Sequence, residues 1–121
     1  MNSMTTKVHL VTIVCGNELE ERVARDLAAL GGISGFTVTR ANGRGLHGPR
    51  KFGVTDSANI RLEILVVPPW ADKVVAMLVA NYQGDPLTAF VQEVLALPQS
   101  HFLLTSPTSA DADLSSTAPP R

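Results

Sequence analysis

The sequence predicts an α+β fold of the ferredoxin-like class, with elements in the order βαββαβ. Two observations predict it. Four short segments are rich in β-branched and apolar residues, and two further segments repeat apolar residues with a helical period. This order predicts a four-stranded antiparallel sheet with two helices on one face. A chain of 121 residues, 45% of them hydrophobic, can bury one such core but is too short for two domains.

The first strand and first helix are predicted from the start of the chain. Lys7–Val14 is largely apolar on both faces, which is typical of a strand buried on both sides. Asn17, with Glu20 three residues later, predicts a capping box that begins the helix. Gly31 and Gly32 predict its left-handed end. The apolar stripe of this helix consists of Leu19, Val23, Leu27 and Leu30.

The middle of the chain predicts two strands, a long loop and a second helix. Gly35–Arg40 and Ile60–Val67 place apolar residues at alternate positions and predict the second and third strands. Ala41–Ala58 between them predicts the loop. Pro68-Pro69 predicts the beginning of the second helix, which continues to about Tyr82. Its stripe is predicted to contain Trp70, Val74, Met77, Leu78 and Asn81.

The last part of the chain predicts a turn, a strand and a tail. Gln83-Gly84-Asp85-Pro86 has the composition of a turn, and Thr88–Leu97 predicts a fourth strand that is apolar on both faces. Thr105–Arg121 contains one leucine among Ser, Thr, Ala, Asp and Pro, which predicts a disordered tail. We therefore expect one domain, residues 1–104, followed by a tail, residues 105–121.

Composition argues against several classes of function. With 10 basic and 11 acidic residues the net charge is −1, which argues against a nucleic-acid partner or an anionic membrane surface. No apolar run approaches the roughly 20 residues of a membrane span, and Met1–Thr6 lacks the parts of a secretory signal. Cys15 is the only cysteine, so no internal disulfide forms. We expect a cytoplasmic protein that is not embedded in a membrane.

The periodicity also predicts oligomerisation. Two helices cover only one face of a four-stranded sheet, yet the first, third and fourth strands carry apolar residues on both faces. The uncovered face is therefore expected to bury against another copy of the chain.

A basic, glycine-rich segment, Arg40–Gly53, is the candidate anion site. It holds four of the nine glycines and four of the ten Lys and Arg residues. Glycines let backbone N–H groups approach an anion, and a guanidinium binds phosphate or carboxylate through a fork of donors. Composition alone weighs an anion site and a solvated loop about equally. The four basic residues are Arg40, Arg44, Arg50 and Lys51.

Together, the βαββαβ order, the glycine-rich loop after the second strand and Gly84-Asp85 before the fourth resemble the PII signalling superfamily. Val38–Gly48 is similar to its T-loop region, and Gln83-Gly84-Asp85 to its B-loop. The resemblance extends from Lys7 to about Leu97. The loop sequence Gly-Leu-His-Gly-Pro-Arg is most similar to the carboxysome-associated PII-like branch, which is linked to inorganic carbon metabolism.

The resemblance implies a non-enzymatic regulatory sensor, a homotrimer that binds ADP or AMP in clefts between subunits. It also implies a protein target, for which a bicarbonate transporter is a candidate. No two histidines have a metal-ligand spacing and no nucleophile–base pair is found, so we expect no metal site, catalytic residue or cofactor. Bicarbonate is the candidate for a second anion. The implied nucleotide-binding residues are Gly43, Arg44, Gly45, Gln83, Gly84 and Asp85, and the candidate bicarbonate residues are His47, Arg50 and Lys51.

The sequence departs from the family pattern at three places. Gly45 replaces a glutamine, Pro86-Leu87 replaces a Gly-Lys pair, and Pro98–His101 lacks the usual arginines. Three groups that would pair with a triphosphate are thus missing, which favours ADP or AMP over ATP. The only tyrosine, Tyr82, lies outside the loop, so a modified T-loop tyrosine has no match.

Two other functions remain open. A metal-binding trimer similar to the divalent-cation-tolerance proteins would need metal ligands that converge at a subunit interface. A small ferredoxin-like enzyme acting on a carboxylate would use Arg44 and His47. An RNA-binding domain is disfavoured, because the second and third strands offer only Phe36 for stacking on bases.

Overall fold

The structure is a computed structural model that describes residues 4–33, 35–42, 44–45, 48–49 and 58–97. It confirms the four-stranded antiparallel sheet and the two helices. The predicted tail lies outside the described residues. The elements are β1 (Thr6–Gly16), a 3₁₀ turn (Asn17–Leu19), α1 (Glu20–Ala29), β2 (Thr37–Ala41), β3 (Arg44–Gly45), β4 (Gly48–Pro49), β5 (Asn59–Val66), α2 (Pro68–Asn81) and β6 (Leu87–Ala96).

The sheet has the strand order β2-β5-β1-β6, and every neighbouring pair is antiparallel. The largely apolar β1 lies between β5 and β6, as its two apolar faces predict. The short strands β3 and β4 pair with each other and form a separate two-stranded sheet. The region predicted as one long loop therefore contains regular structure in its first part.

The core lies between the helices and one face of the sheet. In the register, Ile13 of β1 stands opposite Leu62 of β5, and both are fully buried. Val23 and Leu27 of α1 pack into the same cluster, so the predicted stripe of α1 is confirmed at these positions. Burying one such side chain contributes about 1.5–3 kcal/mol, so this cluster is a large source of stability.

The beginning of α1 differs from the prediction, and the capping box at Asn17 and Glu20 is wrong. Gly16 precedes the 3₁₀ turn, and no side chain caps either helical segment. Instead, Nη1 of Arg40 donates to Oε1 of Glu20 at 2.7 Å and to Oδ1 of Asn17 at 3.5 Å. A guanidinium from β2 is a charged donor, and both side-chain oxygens bind it in preference to the backbone N–H groups.

The end of α1 depends on two glycines with different roles. Gly31 has a φ of +85°, so the predicted left-handed end is confirmed there. At Gly32 the reason for glycine is space, because a Cβ would overlap the six-membered ring of Trp70. Trp70 itself is buried at the first turn of α2, so Gly32 lets α2 approach the end of α1 closely.

The second helix begins at Pro68, as predicted, and Val74 and Leu78 are buried on its inner face. Two positions on this helix differ from the prediction. Ala71 joins the buried face, whereas Asn81 is exposed. Asn81 is the last residue of α2, and its carbonyl oxygen accepts a hydrogen bond from α1.

The edge strand β6 exposes apolar side chains on both faces. Phe90, on the face without helices, is 41% exposed. Val91 and Leu95, which alternate with it and point to the helix side, are 38% and 67% exposed. The helices therefore leave β6 largely uncovered in a single chain.

Candidate functional site

The loop after β2 and the turn before β6 lie at the same end of the sheet. Ala41, the last residue of β2, pairs with Asn59, and Asn59 also pairs with Gly16. Next to Gly16, Cys15 pairs with Leu87, the first residue of β6. The two segments that the resemblance assigns to the nucleotide therefore adjoin neighbouring residues at one end of the sheet.

The same register places the two segments at opposite edges. β2 and β6 are the outer strands, with β5 and β1 between them. Three strand spacings amount to about 14 Å, since neighbouring strands lie 4.7–4.9 Å apart. Within one chain, the base of the loop and the turn are therefore at the same end of the sheet but apart across its width.

The loop begins with the pair β3–β4. Arg44 stands opposite Pro49, and Gly45 opposite Gly48. The predicted nucleotide residues Arg44 and Gly45 thus form β3, directly after the end of β2. The other residues predicted to bind an anion in this loop, Gly43, His47, Arg50 and Lys51, lie outside the described residues, and their roles stay predictions.

Arg40, the first basic residue of this segment, forms an ion pair with a carboxylate of α1. Its Nη1 atom lies 2.7 Å from Oε1 of Glu20, and the Glu20 side chain is 30% exposed. The positive charge of Arg40 therefore has a partner within the chain, although its side chain is 62% exposed. The net positive charge that this segment offers to an anion is smaller than the count from the sequence.

The turn before β6 presents backbone and side chains to solvent. Gln83 and Gly84 are both exposed, and a Cβ added at Gly84 would meet no atom within 4 Å. The backbone N–H of Asp85 donates to the carbonyl oxygen of Tyr82 at 3.1 Å, which closes the predicted turn. Gly84 thus leaves open space in which a ligand can approach the backbone.

Asp85 is held by a side chain of α1 that the sequence analysis did not identify. Nη1 of Arg22 lies 3.2 Å from Oδ2 of Asp85, and Nη2 donates to the carbonyl oxygen of Asn81 at 2.7 Å. The guanidinium also lies over the ring of Tyr82, 4.4 Å from its centroid. The hydroxyl of Tyr82 in turn donates to Oδ2 of Asp26 at 2.6 Å.

These contacts give Tyr82 a raised pKa. Its ring is buried, and its hydroxyl faces the negative carboxylate of Asp26, so both burial and this hydrogen bond disfavour the phenolate. The pKa of Tyr82 therefore lies well above its usual value, although Arg22 opposes this shift. Tyr82 remains a neutral hydrogen-bond donor throughout the physiological pH range.

The described residues offer no cluster for a metal ion. Within these ranges, no group of three or more His, Cys, Asp or Glu residues is placed to hold one. Among the helices of the same ranges, none combines the length and apolar character needed to cross a membrane.

Comparison of the sequence with protein families gives one match that covers most of the chain. The family model of the nitrogen regulatory protein P-II matches residues 8–98. This range includes the whole sheet from Val8, both helices and both segments described above. None of the curated proteins has a sequence that matches this one significantly.

Solved structures of PII-like proteins are similar to this fold. A PII-like signalling protein from Thermus thermophilus is 30% identical, with a TM-score of 0.65 over 78% of this chain and 94% of its own. CPII from Thiomonas intermedia, bound to ADP and bicarbonate, is 18% identical, with a TM-score of 0.66 over 78% and 93% of the two chains. At that identity, CPII supports the fold alone.

Proposed function

The chain belongs to the nitrogen regulatory protein P-II family, and we propose that it is a non-enzymatic sensor of adenine nucleotides. Its proposed ligand is ADP or AMP, bound in clefts between the subunits of a homotrimer. The proposed binding residues are Gly43, Arg44 and Gly45 from the loop and Gln83, Gly84 and Asp85 from the turn.

The position of these two segments at opposite edges of the sheet carries this proposal. In a closed ring of identical subunits, the contact is head-to-tail, so two different patches of the chain meet, and we propose that these are the two edges of the sheet. The loop of one subunit, after β2, would then face the turn of the next, before β6. A cleft between subunits brings together two segments that lie apart across the sheet of one chain.

The exposed apolar residues of β6 support the trimer. Phe90 on one face and Val91 and Leu95 on the other are all exposed in the single chain. Contiguous exposed apolar surface is typical of a protein interface. An edge strand with apolar residues on both faces can be covered by a neighbour, whereas the two helices leave it open.

The charge balance of the site favours a nucleotide with few phosphates. Arg40 is already paired with Glu20, and Asp85 is paired with Arg22, so these two ion pairs add no net charge to the site. Arg44 is then the basic residue proposed for the nucleotide, while Arg50 and Lys51 are proposed for the second anion. ADP or AMP carries less negative charge than ATP and fits this supply better.

Bicarbonate is proposed as a second ligand of the loop, at His47, Arg50 and Lys51. The structure of CPII with ADP and bicarbonate gives a precedent for this pair of ligands in a protein of the same fold. On this basis we also propose that the chain belongs to the carboxysome-associated branch and acts in the cytoplasm. Its proposed setting is inorganic carbon metabolism, with a bicarbonate transporter as its candidate target.

Isothermal titration calorimetry against ADP, AMP, ATP, bicarbonate and Zn²⁺ tests the proposal. The expected result is saturable binding of ADP or AMP, weaker binding of ATP, and no binding of Zn²⁺. Binding of Zn²⁺ alone would favour the metal-binding trimer. Turnover of a carboxylate substrate, dependent on Arg44, would favour the enzyme.

A further inference from the structure

Four contacts join the first two turns of α1 to the segment that leads from α2 into the turn. We call them the Arg22 network; it consists of Arg22, Asp26, Asn81, Tyr82 and Asp85. Arg22 makes three of the contacts, to a backbone carbonyl, to a carboxylate and to an aromatic ring. Asp26, one helical turn later on the same face of α1, makes the fourth, with the hydroxyl of Tyr82.

The network connects residues far apart in the sequence. Arg22 and Asn81 are separated by 59 positions, and Asp26 and Tyr82 by 56. The hydrogen bond from Arg22 to the carbonyl of Asn81 satisfies an acceptor at the end of α2, where helical carbonyls have no partner within the helix. Arg22 therefore ties the end of α2, where the chain enters the turn, to α1.

The geometry points to Arg22 as a positioning residue for the proposed nucleotide turn, Gln83-Gly84-Asp85. This inference rests on the proposed function. Arg22 fixes the backbone of the turn through Asn81 and Tyr82, and it fixes the carboxylate of Asp85 by a charged contact. The backbone at Gly84, which has open space beside it, is then held in one orientation toward the ligand.

Arg22 also has an electrostatic role at this turn. The carboxylate of Asp85 would repel the phosphates of a nucleotide if its charge were uncompensated. Its contact with the guanidinium at 3.2 Å offsets this repulsion, and the Asp85 side chain is only 27% exposed. Because a lysine offers a point charge without the planar fork, it cannot replace all three contacts of Arg22.

Hydrogen exchange of the full chain without ligand tests the positioning directly. The reporter is the backbone amide of Asp85, which donates to Tyr82. Arg22→Ala should speed exchange of this amide about tenfold, the ratio that a change of about 1.4 kcal/mol produces. Arg22→Lys should give a smaller increase. Arg25→Ala, which removes the same charge from an exposed position of the same helix, should leave the amide unchanged.

Affinity for ADP, measured by calorimetry on the same variants, tests the link to the ligand. Arg22→Ala should weaken binding about tenfold, and Arg22→Lys should restore part of it. In a chain that carries Asp85→Asn, removing Arg22 should cost clearly less, because no carboxylate is left to compensate. A role in global stability alone would leave ADP affinity unchanged below the unfolding temperature.

Each outcome decides a separate statement. Unchanged exchange of the Asp85 amide in Arg22→Ala overturns the positioning role, and so does equal ADP affinity of Arg22→Ala and the wild type. A wild-type chain that binds neither ADP nor AMP overturns the proposed function. In that case, the exchange measurement still confirms or overturns the control of the turn by Arg22.

Discussion

The two faces of the sheet differ in how far a single chain covers them. On the helix face, the core residues of β1 and β5 are covered by α1 and α2 within one chain. On the other face, Phe90 of β6 remains exposed, and on the helix side of the same edge strand Leu95 is exposed as well. The helix face therefore holds the main core of the subunit, although Val8 and Thr12 are also buried on the other face. The exposed apolar side chains of β6 are surfaces on which the proposed assembly, with its nucleotide clefts, would form.

Phe90→Asp should have the largest effect, because it should prevent assembly without unfolding the subunit. In the proposed trimer, each copy would bury an uncompensated carboxylate, at a cost of about 3–5 kcal/mol per subunit. We expect a folded monomer, detected by light scattering together with an unchanged circular dichroism spectrum. Phe90→Leu, which keeps an apolar side chain, should remain trimeric. A trimer formed by Phe90→Asp would contradict burial of this face between subunits.

Ile13→Ala should weaken the helix face by about 2–5 kcal/mol, the cost of removing a large buried aliphatic side chain. Ile13 is fully buried in the core, whereas its neighbour Val14 lies half-buried on the opposite face. Urea unfolding of Val14→Ala at the same chain concentration is therefore expected to show a smaller loss. Equal losses would mean that the two faces contribute equally to the subunit.

Arg44→Ala should weaken binding of ADP by about 1.5–3 kcal/mol, the range for a charge-assisted hydrogen bond. Arg44→Lys should recover only part of this loss, because a point charge replaces a fork of donors. Calorimetry of both variants provides the comparison with wild type. If both bind ADP with unchanged affinity, the nucleotide does not contact the base of the loop.

The smallest effect concerns the pH dependence of stability at Tyr82. Its pKa is raised in the folded state by burial and by Asp26, so above pH 10 the unfolded chain releases a proton that the folded chain keeps. This contribution to stability is complete below about pH 10 and is lost as the pH rises further. Tyr82→Phe should therefore lose less stability between pH 9 and 11 than wild type. If urea unfolding shows that the stability of Tyr82→Phe and of wild type falls equally between these pH values, the pKa of Tyr82 is not raised.

The sequence predicted the elements well because strands and helices have local periods. The alternation at Ile60, Leu62 and Ile64 identified the buried face of β5, and Pro68 identified the beginning of α2. The cap of α1 was predicted wrongly, since Arg40, 20 positions after Glu20, competes for the carboxylate. Local spacing carries no information about such a distant partner.

The segments of the candidate site could be predicted from the sequence, but the side-chain contacts that hold the turn could not. The sequence predicts a turn that contains Gly84 and Asp85, and the structure confirms that turn. The spacing of Arg22 and Asp26 indicates only that they share a helix face. Their contacts with Tyr82 and Asp85 depend on how α1 packs beside the end of α2, which a one-dimensional pattern does not specify.

Native mass spectrometry of the full chain, titrated with ADP, tests the central claim most directly, because it counts subunits and nucleotides together. The account predicts a trimer that takes up as many as three ADP molecules, and a Phe90→Asp monomer that takes up none. A monomer that binds ADP would place the site within one chain, and a trimer that binds no adenine nucleotide would contradict the proposed sensor.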